Sequence, residues 1–150
     1  MTGAAVRSRH ADGAPRLHVS LATEPTAPGI GRRSIEVIES FADSAVVDDV
    51  KLLVSELITN SVKHAAAGVG GRIDLVVEVL EDTVLVSVRD TGGGFEHRPR
   101  RRGSRRSGWG LFLVQELSDR WGIERLADEG TAVWFEIARH SPESGRAQPL

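Results

Sequence analysis

Three polar side chains, Glu56, Asn60 and His64, recur every four residues in an otherwise apolar stretch, Val54-Ser55-Glu56-Leu57-Ile58-Thr59-Asn60-Ser61-Val62-Lys63-His64-Ala65. On an α-helix that spacing stacks a carboxylate, a carboxamide and an imidazole along one stripe. Val50, Leu53, Val54, Leu57, Ile58 and Val62 supply a wide apolar face on the same helix, so the stripe borders a core. A carboxylate there is placed to take a proton from a hydroxyl or a water. An amide oxygen one turn later suits a hard cation that keeps waters and phosphate oxygens as its other ligands. A polar stripe is also how an ordinary helix meets solvent, so its meaning depends on other segments.

Two glycine-rich segments follow. Asp90-Thr91-Gly92-Gly93-Gly94-Phe95 closes a β-rich run. An Asp at a strand end can accept a hydrogen bond from an exocyclic amine such as that of adenine, and neighbouring glycines let the backbone approach a flat ring. Ser107-Gly108-Trp109-Gly110-Leu111 opens a helical pattern. Glycines at a helix start free backbone N–H groups at the positive end of the dipole, which suits phosphate. Taken singly, the first segment is equally a plain turn and the second a plain loop entering a helix. Neither is a Walker loop or a dinucleotide fingerprint, because no Gly-Lys-Ser/Thr follows and the spacing is wrong. Together with the oxygen-bearing helix face, they make up what a Mg-nucleotide site requires.

The elements that must position these groups are legible from periodicity. Leu17, Val19 and Leu21 alternate with Arg16, His18 and Ser20, predicting a half-buried strand. A first helix is expected over about 28–42, with Ile30, Ile35, Val37, Ile38 and Phe41 inside, broken by Asp43-Ser44. The second is expected over roughly 46–66, with Asp48 and Asp49 in its first turn, where the dipole favours acids, and Gly68, Gly70 and Gly71 ending it. Residues 72–80 and 83–89 read as a hairpin around Glu81-Asp82. Residues 91–107 have no apolar period and carry six arginines, Arg98, Arg100, Arg101, Arg102, Arg105 and Arg106. A loop of that length in a compact domain is functional or disordered. Residues 108–120 return as a helix, and two strands are expected at 121–126 and 131–138, where Trp121 and Trp134 are expected in the core. Strand, two helices, two strands, loop, helix and two strands specify an α+β fold with helices layered on one face of a sheet.

Composition bounds the reading. A chain of 150 residues is one domain with tails, here a loose arm at 1–15, a folded domain at 16–140 and a loose tail at 141–150. A formal net charge of −2 favours neither nucleic acid nor an anionic membrane surface. The absence of cysteine excludes disulfides and thiolate metal sites and fits a cytoplasmic protein. No signal peptide is recognisable at the N-terminus and no apolar run is long enough to span a bilayer.

Four boxes in order carry a family resemblance over residues 15–140. Glu56-Leu-Ile-Thr-Asn60-Ser-Val-Lys-His64-Ala resembles the N box of the GHKL (Bergerat-fold) ATPases, and Asp90-Thr-Gly92-Gly-Gly94-Phe resembles their adenine-binding Asp-x-Gly-x-Gly box. Gly108-Trp-Gly110-Leu-Phe-Leu-Val resembles their second glycine box, and Gly130-Thr131-Ala-Val-Trp134-Phe-Glu their closing strand. Small size, Ser-Glu-Leu-x-Thr-Asn and Asp119-Arg120-Trp121-Gly122 are similar to the RsbW-type anti-sigma factor serine kinases and to actinobacterial ATP-binding regulators. The resemblance implies a two-layer α/β sandwich, with helices on one face of a mixed, mostly antiparallel sheet, binding ATP and Mg²⁺. It implies that Asn60 coordinates Mg²⁺, that Glu56 is the catalytic base and that Asp90 binds the adenine amine. Gly92, Gly94, Gly108 and Gly110 then shape the nucleotide pocket with Leu111, Thr131 lies beside the adenine end, and residues 95–107 form a lid.

The implied activity is transfer of the ATP γ-phosphate to a serine of an anti-anti-sigma (STAS-type) partner. Sequestration of a sigma factor accompanies it, often in a homodimer, and no direct contact with nucleic acid or membrane is expected. A non-catalytic ATP-binding module that sequesters a regulator uses the same Mg-site residues, although Glu56 near phosphates favours catalysis. A detached histidine-kinase catalytic domain is disfavoured, because no phosphoacceptor-helix signature stands ahead of residue 16. The arginine-rich loop remains open between clamping phosphates, clamping an acidic partner and plain solvation. His64 remains open between nucleotide contact and helix packing.

Overall fold

A computed structural model describes residues 4–9, 13–64, 71–90, 109–126 and 130–140. Among these residues six strands form one sheet in the order β1-β2-β3-β4-β6-β5: β1 (Ala4–Arg9), β2 (Pro15–Ala22), β3 (Arg72–Val79), β4 (Thr83–Asp90), β5 (Arg120–Arg125) and β6 (Thr131–Ala138). Every neighbouring pair among the described strands is antiparallel, in keeping with the mostly antiparallel sheet expected from sequence. Helices α1 (Ala27–Ser34), α2 (Ser44–His64) and α3 (Trp109–Leu117) complete the two-layer α+β architecture.

Strand alternation sorts the side chains. Leu17, Val19, Leu21, Ile73, Leu75, Val77, Val79, Val84, Val86, Val88, Phe135 and Ile137 are buried beneath the helices. From above, α2 contributes Val46, Val47, Val50, Leu53, Val54, Leu57 and Ile58, all buried. Burying a side chain of this size stabilises by about 1.5–3 kcal/mol, so this interleaved layer holds the sandwich together. The opposite face of the sheet carries charge, with Arg16 paired to Glu78 at 3.0 Å and His18 to Asp74 at 3.1 Å. A shallow cavity of about 350 Å³ lies on that face, lined by Arg16, His18, Asp74 and Glu78 among others.

Several boundaries differ from the sequence reading. Residues 4–9, expected in a loose arm, form β1 along the edge of β2, with Val6 opposite His18 and Arg7 opposite Leu17. The first helix stops at Ser34 and tightens into a 3₁₀ turn over Ile35–Ile38, which still buries Ile35 and Ile38. Gly31 explains its path: a Cβ there would collide with Ile58 Cδ1 and lie 3.3 Å from Val54 Cγ1, so glycine lets α1 press onto α2. Helix α2 starts at Ser44, which moves Asp48 and Asp49 out of the first turn and away from the dipole's strongest field. Burial, with the neighbouring Asp48, pushes the Asp49 carboxyl above its ordinary value. Helix α3 ends at Leu117, because Arg120 is already paired with Glu136 in the β5–β6 ladder.

Arg139, just beyond β6, ties three segments together. Its guanidinium donates to the carbonyls of Phe41 at 2.7 Å, Glu81 at 2.8 Å and Leu80 at 3.4 Å. Its backbone carbonyl accepts from Asp43 N at 2.9 Å, at the entrance to α2. The helix that carries Glu56 and Asn60 is thus anchored at its start to the β3–β4 turn and the end of β6. No described helix is long and apolar enough to cross a membrane.

Candidate functional site

Glu56 and Asn60 lie one turn apart on α2, both partly exposed, on a helix whose other side is buried. Thr59, between them in sequence, turns its hydroxyl back onto the Ser55 carbonyl at 2.7 Å. Opposite this stretch stands the first turn of α3. Gly110 is buried there, and a Cβ at that position would run into Asn60 Nδ2, with Asn60 Cγ at 3.6 Å and the Glu56 carbonyl oxygen at 3.9 Å. Residues of the first and third boxes are therefore in direct contact. Glycine at 110 has a packing role that the spacing alone does not reveal: it lets the N-terminal turn of α3 close onto the Asn60 carboxamide. With Nδ2 against α3, Oδ1 lies on the other side of the carboxamide.

Asp90 ends β4 and Thr131 begins β6, and the two are register partners; Ile73 flanks Asp90 on its other side. Alternation puts Asp90, Ile73 and Thr131 on the helix-bearing side of the sheet, in line with buried Val88 and Ile73. The structure thus makes two juxtapositions from the expected site residues: Asn60 with Gly110, and Asp90 with Thr131. Leu111 follows Gly110 on α3 and is partly buried. Gly92, Gly94, Gly108, the six arginines and the expected lid at 95–107 lie outside the described residues. His64 is the last residue of α2, and Trp109 the first of α3.

Two expectations about tryptophans are corrected. Trp121 lies on edge strand β5 and is exposed, because no further strand covers β5 among the described residues. Trp134 lies on the helix-free face, opposite Gly122, where a Cβ on Gly122 would meet the indole at 2.7–2.9 Å. The signal for this was present in sequence: Phe135 is the buried member of the alternation, and its neighbour must point the other way.

Residues 22–137 match the model of the histidine kinase-like ATPase domain, and the chain belongs to that family. ATP is accordingly the ligand against which this site is read. Among individual proteins, the chain is similar to the serine-protein kinase RsbW of Listeria innocua, at 33% identity over 133 residues, covering 79% of this chain and 83% of the relative. A serine-protein kinase RsbW of Staphylococcus aureus is 32% identical over 87 residues, covering 49% of this chain and 55% of the relative. Among solved structures, the histidine kinase domain of a blue-light activated histidine kinase from Erythrobacter litoralis superposes with a TM-score of 0.52 at 24% identity. That match covers 75% of this chain, and the chain spans 61% of that structure. The catalytic domain of the histidine kinase ThkA gives 0.50 at 14% identity, covering 82% of this chain and 97% of that one. The likeness to both histidine kinases is one of fold.

Proposed function

We propose that this chain is an ATP-dependent protein serine kinase that acts on an anti-anti-sigma (STAS-type) partner and holds a sigma factor when that partner is phosphorylated. The observation that carries the reading is the similarity to serine-protein kinase RsbW across 83% of that protein's length, beside a family match over residues 22–137 that includes Glu56, Asn60, Asp90 and Thr131. The contact of Gly110 with Asn60 supports it, because it joins the helix that bears the carboxylate to a helix start suited to phosphate.

The residues present fit a divalent cation. Asn60 Nδ2 packs against Gly110, which leaves Oδ1, a hard oxygen donor, on the other side of the carboxamide, with the Glu56 carboxylate one turn earlier on the same helix. Among the described residues no cluster of three or more His, Cys, Asp or Glu stands ready for a metal. Mg²⁺, a hard cation that keeps waters and phosphate oxygens as its other ligands, would be held here through Asn60 and would neutralise charge on the phosphates. Asn60 orients that arrangement, and Asp90 accepts the adenine amine beside Thr131. Glu56 accepts the proton of the attacking serine hydroxyl as its oxygen bonds to the γ-phosphorus. The bond from γ-phosphorus to the bridging oxygen breaks, and ADP leaves.

The test is transfer of label from γ-labelled ATP, with Mg²⁺, to candidate anti-anti-sigma proteins. The reading expects phosphoserine on the partner, and loss of label with Glu56→Ala and with Asn60→Ala. Tight ATP binding by the wild type with no labelled partner would instead favour a non-catalytic module that sequesters a regulator.

A further inference from the structure

Two helices flank α2 and leave one stripe of it open among the described residues. Gly31 holds α1 against Val54 and Ile58 on one side, and Gly110 holds α3 against Asn60 and the Glu56 carbonyl on another. At 3.6 residues per turn, Leu52 and Glu56 each lie about 160° around the helix from Val54, away from the α1 contact. The open stripe therefore runs Asp48, Leu52, Glu56, one residue per turn, and passes on toward Asn60. A serine hydroxyl brought to Glu56 by another protein has this stripe beneath the segment that carries it.

The stripe is not built like a plain solvated face. Leu52 is 42% exposed, whereas Leu53 and Leu57 on the same helix are at 0% and 4%. It stands one turn before Glu56, with the two Cβ atoms about 5–6 Å apart. Asp48, exposed, and Asp49, partly buried, precede Leu52 by four and three residues. Neither carboxylate has a cationic partner among the described residues, and Lys51 beside them is already paired with Glu39 at 3.2 Å. Burial, with the neighbouring Asp48, pushes the Asp49 carboxyl above its ordinary value, in keeping with negative charge that the chain leaves uncompensated.

Spacing sets what fits along it. Each four-residue step of α2 rises about 6 Å. A peptide segment returns side chains to one side at nearly the same interval, about 6.6 Å for every two residues when extended and about 6 Å for every four when helical. A segment laid along the stripe with its serine at Glu56 therefore sets its next same-side residue over Leu52 and the one after that over Asp48. An apolar side chain matches the first position, and a cation matches the second, where two carboxylates stand unpaired.

We propose that Leu52, with Asp48 and Asp49, determines which serine this chain phosphorylates. The accepting segment carries an apolar side chain about 6 Å from the serine, seated on Leu52, and a Lys or Arg about 12 Å from it, facing Asp48 and Asp49. The inference rests on the serine-kinase reading above and adds to it a recognition surface outside the nucleotide site.

The test is steady-state phosphotransfer by the full chain to the anti-anti-sigma protein that the wild type labels. Circular dichroism, and melts with and without Mg-ATP, accompany every variant. Leu52→Ser and Asp48→Arg, both at exposed positions, should fold and keep the wild-type ATP-induced melting shift. Each should raise KM for the partner about 10-fold with kcat unchanged, the effect of losing one well-placed contact. Leu52→Met, which keeps an apolar surface, should stay near the wild-type KM. Added salt should raise the wild-type KM and raise that of Asp48→Arg less, because screening weakens only an attraction that exists. An unchanged KM in either Leu52→Ser or Asp48→Arg, with the partner still labelled, would overturn the inference and leave the serine-kinase reading standing. So would variants that lose only the capture of a sigma factor, since the stripe would then belong to that protein. A wild type that labels no partner would overturn the serine-kinase reading and the inference with it.

Discussion

Substituting Gly110 by alanine should separate stability from nucleotide binding. Alanine gains about 1 kcal/mol of helix propensity over glycine. The added Cβ meets Asn60 Nδ2, the far end of a side chain that can rotate, rather than backbone; the nearest backbone atom, the Glu56 carbonyl oxygen, is at an ordinary 3.9 Å. Overpacking costs about 1–3 kcal/mol when the surroundings cannot move, and the lower end applies to a rotatable amide. The two effects nearly cancel, so the unliganded melting temperature should move by only a few degrees. The carboxamide itself must be displaced, and disturbing what orients a metal ligand costs about 10–100-fold in metal affinity, the upper end of which is taken here for Mg-ATP. At an ATP concentration near 100 times the wild-type Kd, binding stabilises the wild type by about 2.7 kcal/mol, against about 0.4 kcal/mol for a variant weakened 100-fold. For a chain of this size those values correspond to melting shifts of about 5–10 °C and about 1 °C. Thermal melts with and without Mg-ATP read the difference directly. A Gly110→Ala protein that keeps the full ATP-induced shift would refute the reasoning, since contact between α3 and Asn60 would then be irrelevant to the nucleotide.

Three further outcomes are expected. Gly31→Ala should lower stability by about 1–2 kcal/mol net of helix propensity, because its Cβ strikes Ile58 and Val54 in the core, while the ATP-induced shift stays at its wild-type size; denaturant midpoints and melts check both. Arg139→Ala withdraws donors from the carbonyls of Phe41, Leu80 and Glu81 and should cost about 1–3 kcal/mol in urea denaturation, less if water replaces the guanidinium. Asp49→Asn should stabilise slightly at neutral pH. The folded carboxyl titrates above its ordinary 3.8, so the native state binds the extra proton between that value and its raised pKa. Stability attributable to this group falls as pH rises through that window and stays lower above it, whereas below 3.8 both states are protonated. The advantage of the Asn variant should therefore vanish in acid, and an advantage that persisted there would contradict the assignment.

Much of the fold is legible because burial is periodic. Leu17, Val19 and Leu21 declare β2 by alternation, and Val50, Leu53, Val54, Leu57 and Ile58 declare α2 by helical spacing; all of them are buried. The pattern fails where a neighbour outside the local window decides. Residues 4–9 have too little apolar character to announce a strand, and their partners come from the edge of β2. The first helix gives way after Ser34 to a 3₁₀ turn that buries Ile35 and Ile38, three residues beyond the Gly31 contact with α2. Trp121 and Trp134 are large and apolar, which argues for the core, yet one lies on an uncovered edge and the other on the face without helices.

By itself the sequence determined which chemical groups exist and how they are spaced: a carboxylate and an amide one helical turn apart, an acid at a strand end, and glycine at a helix start. Those are local facts, set by residue type and by the 3.6 and 2.0 periods of helix and strand. Only the tertiary structure decided which groups meet. Asn60 and Gly110 are 50 positions apart in the chain, and Asp90 and Thr131 are joined only by the β4–β6 register. Such contacts depend on how layers pack and strands align, which involves the whole core at once and leaves no trace in the spacing of either segment alone.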